Sequence, residues 1–188
     1  ATLSVTPTEV SALTTDGPLE VTHVSEGTVP LAAADDARFM VFREASGLRE
    51  HVAVLIGEQD HWPDPLPVRI HSACLTGDLF GSLRCDCGEQ LQGSLRLFAE
   101  QGGGLLLYMS QEGRDIGLAN KLRAYALQEQ GLDTVDADQI LGFGEDERAY
   151  GAAVQMLKEL NRINHSKYFN CIKDLKHLNY FSIFRYSK

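Results

Sequence analysis

The apolar positions first fall into register between Arg38 and Ile56. Phe39 and Val41 precede a polar Ser46-Gly47 pair, and the run His51-Val52-Ala53-Val54-Leu55-Ile56 follows. This pattern predicts two strands joined by a turn. The stretch Asp60 to Pro67 holds three of the six prolines, so it predicts an extended connection into a further strand over Val68 to Ala73. Leu91, Leu95 and Phe98 then recur at helical spacing, predicting a helix over Glu89–Gln101 that Gly102-Gly103-Gly104 ends. Leu105 to Met109 is a short apolar run of the kind found in a sheet covered on both faces. Leu118, Leu122, Tyr125 and Ala126 predict the inward stripe of a second helix, closed by Gly131. Tyr150, Ala153, Val154 and Leu157 predict that of a last helix beginning near Asp146. Helix, glycine break and strand together indicate an α/β chain, a mixed α+β sheet with flanking helices in a single domain. Residues 1 to about 30 show no sustained period and read as a loosely held arm or edge structure.

Composition narrows the function. The 188 residues suffice for one well-packed domain. A net charge of −9 argues against a nucleic-acid-coating protein. An anionic ligand must therefore be small and held by locally placed Arg and Lys. No membrane span or secretory signal is visible, so neither a membrane nor a nucleic-acid partner is expected. With thiols spaced for a metal rather than for disulfides, the expected location is cytoplasmic.

The chemistry concentrates in CLTGDLFGSLRCDCGEQL, residues 74–91. Cys74 is followed by Cys85 and then Cys87 across a glycine-containing turn. Cys-x-Cys in a polar turn makes poor core sequence and poor disulfide geometry. Three soft ligands suit a metal site that keeps a position open, whereas a structural zinc site closes with four. Glu112-Gly113-Arg114 falls where a strand's carboxyl end meets a helix start, the usual ligand position in open α/β sheets. The glycine there permits close backbone approach, and Arg can grip phosphate or carboxylate in a fork. A solvated turn would read the same way. Asp146-Glu147-Arg148 is equally open, since acidic residues near a helix start can simply complement the helix dipole.

The blocks RIHSACLTGDLFGSLRCDCGEQL and QEGRDIGLANKLRAYALQEQGLDTVDADQILGFGEDER, with the spacing between them, resemble the GTP cyclohydrolase II family of riboflavin biosynthesis. The resemblance runs from about Glu26 to Leu160 and is strongest from Arg69 to Tyr150. It implies a single-domain GTP cyclohydrolase II-like fold. It also implies zinc- and magnesium-dependent opening of the guanine imidazole ring of GTP, with loss of C8 as formate and of pyrophosphate, leaving a diaminopyrimidine. By position, Cys74, Cys85 and Cys87 match the zinc ligands, one zinc per chain. Arg69, Ile70, His71, Ser72, Ala73, Gln90, Glu112, Gly113, Arg114 and Thr134 match GTP-binding positions. Asp146 matches the proton acceptor, Arg148 a nucleophile towards the α-phosphorus, and Tyr125 a tyrosine near the ring chemistry. Zinc would activate water at C8. The family also implies a homodimer.

Two departures qualify the resemblance. Ala73 stands where many relatives carry Glu. Phe169 and Asp174 stand where the family places a Thr and a Lys that contact the nucleotide. Composition shifts at the same point: residues 161–188 hold six Lys or Arg against one acidic residue and six of the fifteen aromatics. The expected organisation is an arm over residues 1–25, a catalytic domain over 26–160 and a divergent basic tail over 161–188. Three readings follow: an active GTP cyclohydrolase II, a zinc- and nucleotide-binding relative with impaired turnover, or an interaction module with a basic tail.

Overall fold

A computed structural model describes residues 20–64, 66–144 and 146–164. Its centre is a five-stranded mixed sheet in the order β1-β2-β3-β5-β4. The strands are β1 (Val21–Val29), β2 (Ala37–Glu44), β3 (Glu50–Ile56), β4 (Val68–Ser72) and β5 (Gly104–Met109). Neighbours are antiparallel except β4 and β5, which run parallel with Arg69 opposite Leu106 and His71 opposite Tyr108. A parallel pair needs a crossover. Here it consists of a π-helical turn (Leu75–Leu79) and helix α1 (Cys87–Glu100).

Period-two alternation sorts the side chains onto two faces. On one face Ala53, Leu55, Leu105, Leu107 and Met109 join Met40 and Phe42 beneath helix α4 (Gly151–Asn164), which contributes Ala152, Ala153, Met156, Leu157 and Leu160. On the other, Val54, Ile56 and Leu106 meet Leu95 and Phe98 of α1. The Leu105–Met109 run is therefore apolar on both faces, the Tyr108 hydroxyl excepted, because both are covered. Trp62 fastens the proline-rich connection, donating from Nε1 to the Ile56 carbonyl at 2.8 Å. That connection is not wholly extended, since it begins with a 3-10 turn at Gln59–His61.

Two expected helix stripes are revised. Helix α2 (Leu118–Gln128) does not bury a Leu118–Leu122–Tyr125 stripe: Leu122 is 49% exposed and Ala124 alone is fully buried. The helix walls a cavity rather than the core. The last helix starts at Gly151, so Asp146 and Arg148 lie in the irregular segment before it, and its buried stripe passes through Met156 and Leu160 rather than Tyr150 and Val154. Helix α3 (Thr134–Ile140) has no apolar period that would announce it. It is capped by Asp133, whose carboxylate accepts from the Asp136 N–H at 2.8 Å. β1, beginning at Val21, is an edge strand within the stretch that reads as an arm or edge structure, and α4 runs to Asn164. Phe169, Asp174 and the fourth cysteine of the sequence, Cys171, lie outside the described residues.

Phe98 is fully buried against Gly104, whose missing side chain makes room for the ring. Phe98→Ala should cost about 3–5 kcal/mol, read as a lower denaturant midpoint with an unchanged slope.

Candidate metal and nucleotide site

The loops leaving the carboxyl ends of β4 and β5 meet on one side of the sheet edge. In the first, the π-helical turn folds the chain back so that Cys85 and Cys87 return to Cys74. The three sulfurs lie within 4.8 Å of one another, with Cys74 Sγ and Cys85 Sγ 3.6 Å apart. Thiolates about 2.3 Å from a tetrahedral metal would sit roughly 3.8 Å from each other. Gly77 makes this convergence possible, because a Cβ there would come within 2.7 Å of Cys85 Sγ and 3.1 Å of Cys74 Sγ. All three thiols are free. This cradle and its soft donors fit a thiophilic metal ion.

Asp78 organises the loop from inside. One carboxylate oxygen accepts from the Cys74 N–H at 3.0 Å and the Tyr108 hydroxyl at 2.8 Å, and the other meets His71 Nε2 at 3.0 Å. His71, stacked on Tyr108, is thereby engaged by Asp78 and is not part of the thiol cluster. Lys121 Nζ donates to Cys74 Sγ at 3.0 Å and to Glu112 Oε1 at 2.8 Å. Burial raises the Cys74 thiol pKa, but hydrogen bonds from Lys121, the Gly77 backbone and Thr76 outweigh it and hold it low. Burial and the two neighbouring thiols push Cys87 up. Burial also lowers His71, against the opposing pull of Asp78.

Beside the thiols opens a cavity of about 330 Å³. Of the residues singled out in the sequence, it is lined by Arg69, Ile70, His71, Ser72, Ala73, Cys74, Cys85, Cys87, Gln90, Gly113, Arg114, Tyr125, Thr134 and Arg148. Two are not in its wall. Glu112 turns to Lys121 and to the Leu75 N–H at 2.7 Å. Asp146 stands behind Arg148, accepting from its Nε at 2.8 Å and its NH2 at 2.6 Å. Burial pulls the Arg148 pKa down, yet the paired carboxylate more than restores it, and Asp146 is correspondingly held below the usual carboxylate range despite its own burial. Asp146 thus serves its neighbour rather than a helix dipole.

The second loop, Ser110 to Gly117, is held in an uncommon shape. Gly113, Arg114 and Asp115 all have positive φ, which costs a non-glycine residue about 1–3 kcal/mol. Arg49 grips the Asp115 carboxylate at 2.9 Å, and the buried His51 accepts from the Ser110 N–H at 3.0 Å. Arg114 reaches towards Asp138, 3.8 Å away. On α1, Gln90 accepts from Arg69 and donates to Asp86.

Sequence reasoning missed Asp78, Arg84, Tyr108 and Lys121. Lys121 precedes Tyr125 by four residues, so helical spacing alone places both on one face. Arg84 lies 5.0 Å from the Tyr125 ring centre and also pairs with Glu129.

A family model described as GTP cyclohydrolase II matches residues 22–164. The chain belongs to the GTP cyclohydrolase II family. It is 55% identical over 137 residues to GTP cyclohydrolase-2 of Xylella fastidiosa strain Temecula1, covering 73% of this chain and 34% of that protein. Against GTP cyclohydrolase-2 of Azospirillum brasilense the identity is 50% over 138 residues, covering 73% and 36%. The riboflavin biosynthesis protein RibBA of Bacillus subtilis is 56% identical over 112 residues, covering 60% and 28%. The chain spans about a third of the length of the GTP cyclohydrolase-2 relatives it matches. The family match contains the whole thiol cluster and every residue lining the cavity.

Filling the cradle should empty the site. Gly77→Ala should reduce bound metal to a small fraction of the parent's while far-UV circular dichroism is retained, as read by metal analysis of the purified variant.

Proposed function

We propose that the chain carries out the GTP cyclohydrolase II reaction, hydrolytic opening of the guanine imidazole ring of GTP with release of formate and pyrophosphate. The observation that carries this reading is the charge of the cavity. Arg69, Arg84, Arg114 and Arg148 line it against one carboxylate, Asp138, in a chain whose net charge is −9. Local cations in a partly desolvated wall favour a polyanion. The cluster of thiols at the same cavity supplies a second chemistry for the base.

Cys74, Cys85 and Cys87 would hold a zinc ion, which supplies Lewis-acid chemistry and an ionisable water at the purine ring. Arg69 and Arg114 bind and orient the nucleotide, with Gln90 steering Arg69 and the Arg49–Asp115 pair steering the Arg114 loop. Ile70, Ser72, Ala73, Gly113 and Thr134 shape the walls around it. The Tyr125 hydroxyl donates near the ring as charge develops. Magnesium would enter with the triphosphate.

The resemblance gives Arg148 the attack on the α-phosphorus: a P–N bond forms as the bond to the β-phosphate oxygen breaks, pyrophosphate leaves, and water later cleaves the P–N bond to free the arginine. A guanidinium must first lose a proton, and the Asp146 carboxylate, 2.6 Å from its NH2, would take it. The same pairing strengthens the proton's hold on Arg148, so that transfer is the demanding part of the step. A homodimer is proposed on the family resemblance. The exposed Leu79, Phe80 and Leu83 offer apolar surface that association would cover. Among the described residues no helix is long and apolar enough to cross a membrane, and the cytoplasmic placement rests on reduced, metal-spaced thiols.

A second reading, a nucleotide-binding relative with low turnover, is favoured by Ala73 in the cavity wall and by Phe169 and Asp174 in the sequence. Incubation with GTP, zinc and magnesium, with mass detection of formate, pyrophosphate and the diaminopyrimidine, separates the two. Turnover supports the first reading. Binding without products supports the second, and then replacing residues 165–188 by a segment bearing Thr-Asn-Asn-Pro-Lys-Lys should restore activity. In an active chain, Arg148→Ala should lower pyrophosphate release by about 100-fold or more. Cys87→Ser should abolish formate while leaving some phosphate chemistry. Equal loss of both products in each folded variant would contradict this division.

A further inference from the structure

We propose that Lys121 is a positioning residue for the metal, a built-in counter-charge that holds Cys74 as a ligand and ties the thiol cluster to the Glu112-Gly113-Arg114 loop. The proposal rests on the metal-binding reading of the three cysteines.

Three thiolates around a divalent cation carry one net negative charge, and Cys74 is buried. An excess charge in such surroundings is costly unless a cation is paired with it. Lys121 Nζ lies 3.0 Å from Cys74 Sγ, and its side chain is 11% exposed. Its other polar partner is Glu112 Oε1 at 2.8 Å, and the second Glu112 oxygen accepts the Leu75 N–H at 2.7 Å. Leu75 follows Cys74, so the contacts close a ring: thiol, ammonium, carboxylate and back to the chain beside the thiol. The Tyr125 ring centre lies 6.0 Å from Nζ, completing an enclosure of sulfur, carboxylate and aromatic face.

This arrangement differs from that of a lysine waiting for phosphate. One donor is already directed at Cys74 and another at Glu112, and that carboxylate discourages a further anion. Glu112 accordingly fixes the lysine and the π-helical turn, rather than lining the nucleotide cavity. A charge-assisted N–H···S bond withdraws electron density from the sulfur, which stabilises a metal thiolate and leaves the metal more electron-poor.

The test uses the full chain, stripped of metal and reloaded. Zinc affinity is measured by chelator competition, and cobalt(II) substitution reports the sulfur-to-metal charge-transfer band. Lys121→Met should loosen zinc by ~10- to 100-fold and shift that band to lower energy, while Lys121→Arg, which keeps a cationic donor, should restore most of the affinity. If Lys121→Met does not fold, Glu112→Gln, which leaves the lysine but loosens its anchor, should weaken zinc in the same direction by less. Unchanged zinc affinity and an unchanged band in a folded Lys121→Met would overturn the proposal, as would a loss confined to GTP binding. A parent chain that binds no zinc would overturn the metal reading and this proposal with it.

Discussion

The Asp78 carboxylate is the fixed point of the site. It is nearly buried, and it receives the Cys74 N–H, the Tyr108 hydroxyl and the His71 ring. Those partners come from the loop itself, from β5 and from β4. A single acidic group therefore ties the thiol loop to both strands of the parallel pair. Gly77, one residue earlier, removes the bulk that would hold the sulfurs apart. Without Asp78 the turn would have a backbone N–H and a tyrosine hydroxyl to satisfy elsewhere, a loss of roughly 1–3 kcal/mol for each buried group left unpaired.

The site's electrostatics are local against a contrary background. An acidic chain repels a triphosphate at long range, but screening confines that effect to about 8 Å at physiological salt. Inside the cavity the arginines are each held by a neighbouring group, as Arg69 is by Gln90, Arg114 by Asp138 and Arg148 by Asp146. Such pairing fixes where each guanidinium points, which would lower the ordering cost of binding an anion. The loop that carries Arg114 holds consecutive left-handed residues, and Arg49 and His51 from the β2–β3 hairpin secure it from the opposite side.

Much of this is legible in the amino-acid sequence itself. The sheet around β3 and β5, the crossover helix α1 and the gathering of Cys74, Cys85 and Cys87 follow from alternation, glycine breaks and spacing. β1 is legible only as unspecified edge structure, because Val21 is its sole buried residue and an edge strand of that kind has almost no apolar period to read. The inward reading of α2 fails at Leu122 because apolar spacing cannot distinguish a core-facing helix from one that walls a cavity. The partners of the thiols are hidden for a different reason. Lys121 lies 47 residues from Cys74 along the chain, and Tyr108 lies 30 from Asp78. Only the β4–β5 pairing and the packing of α2 bring them together. Asp146 is visible in the sequence, and of the two readings left open for it the helix-dipole one fails because the helix begins further on, at Gly151.

An open three-thiolate metal site at the wall of an anion-binding cavity is the claim on which the functional reading turns. X-ray absorption at the zinc edge on the purified, zinc-loaded chain tests it most directly. Three sulfur scatterers at about 2.3 Å and one lighter nitrogen or oxygen neighbour, with the sulfur count falling to two in Cys85→Ser, are the expected result. A shell of four sulfurs would show a closed structural site, and a zinc-free protein with its cysteines joined in disulfides would remove the metal altogether. Either outcome would contradict the account.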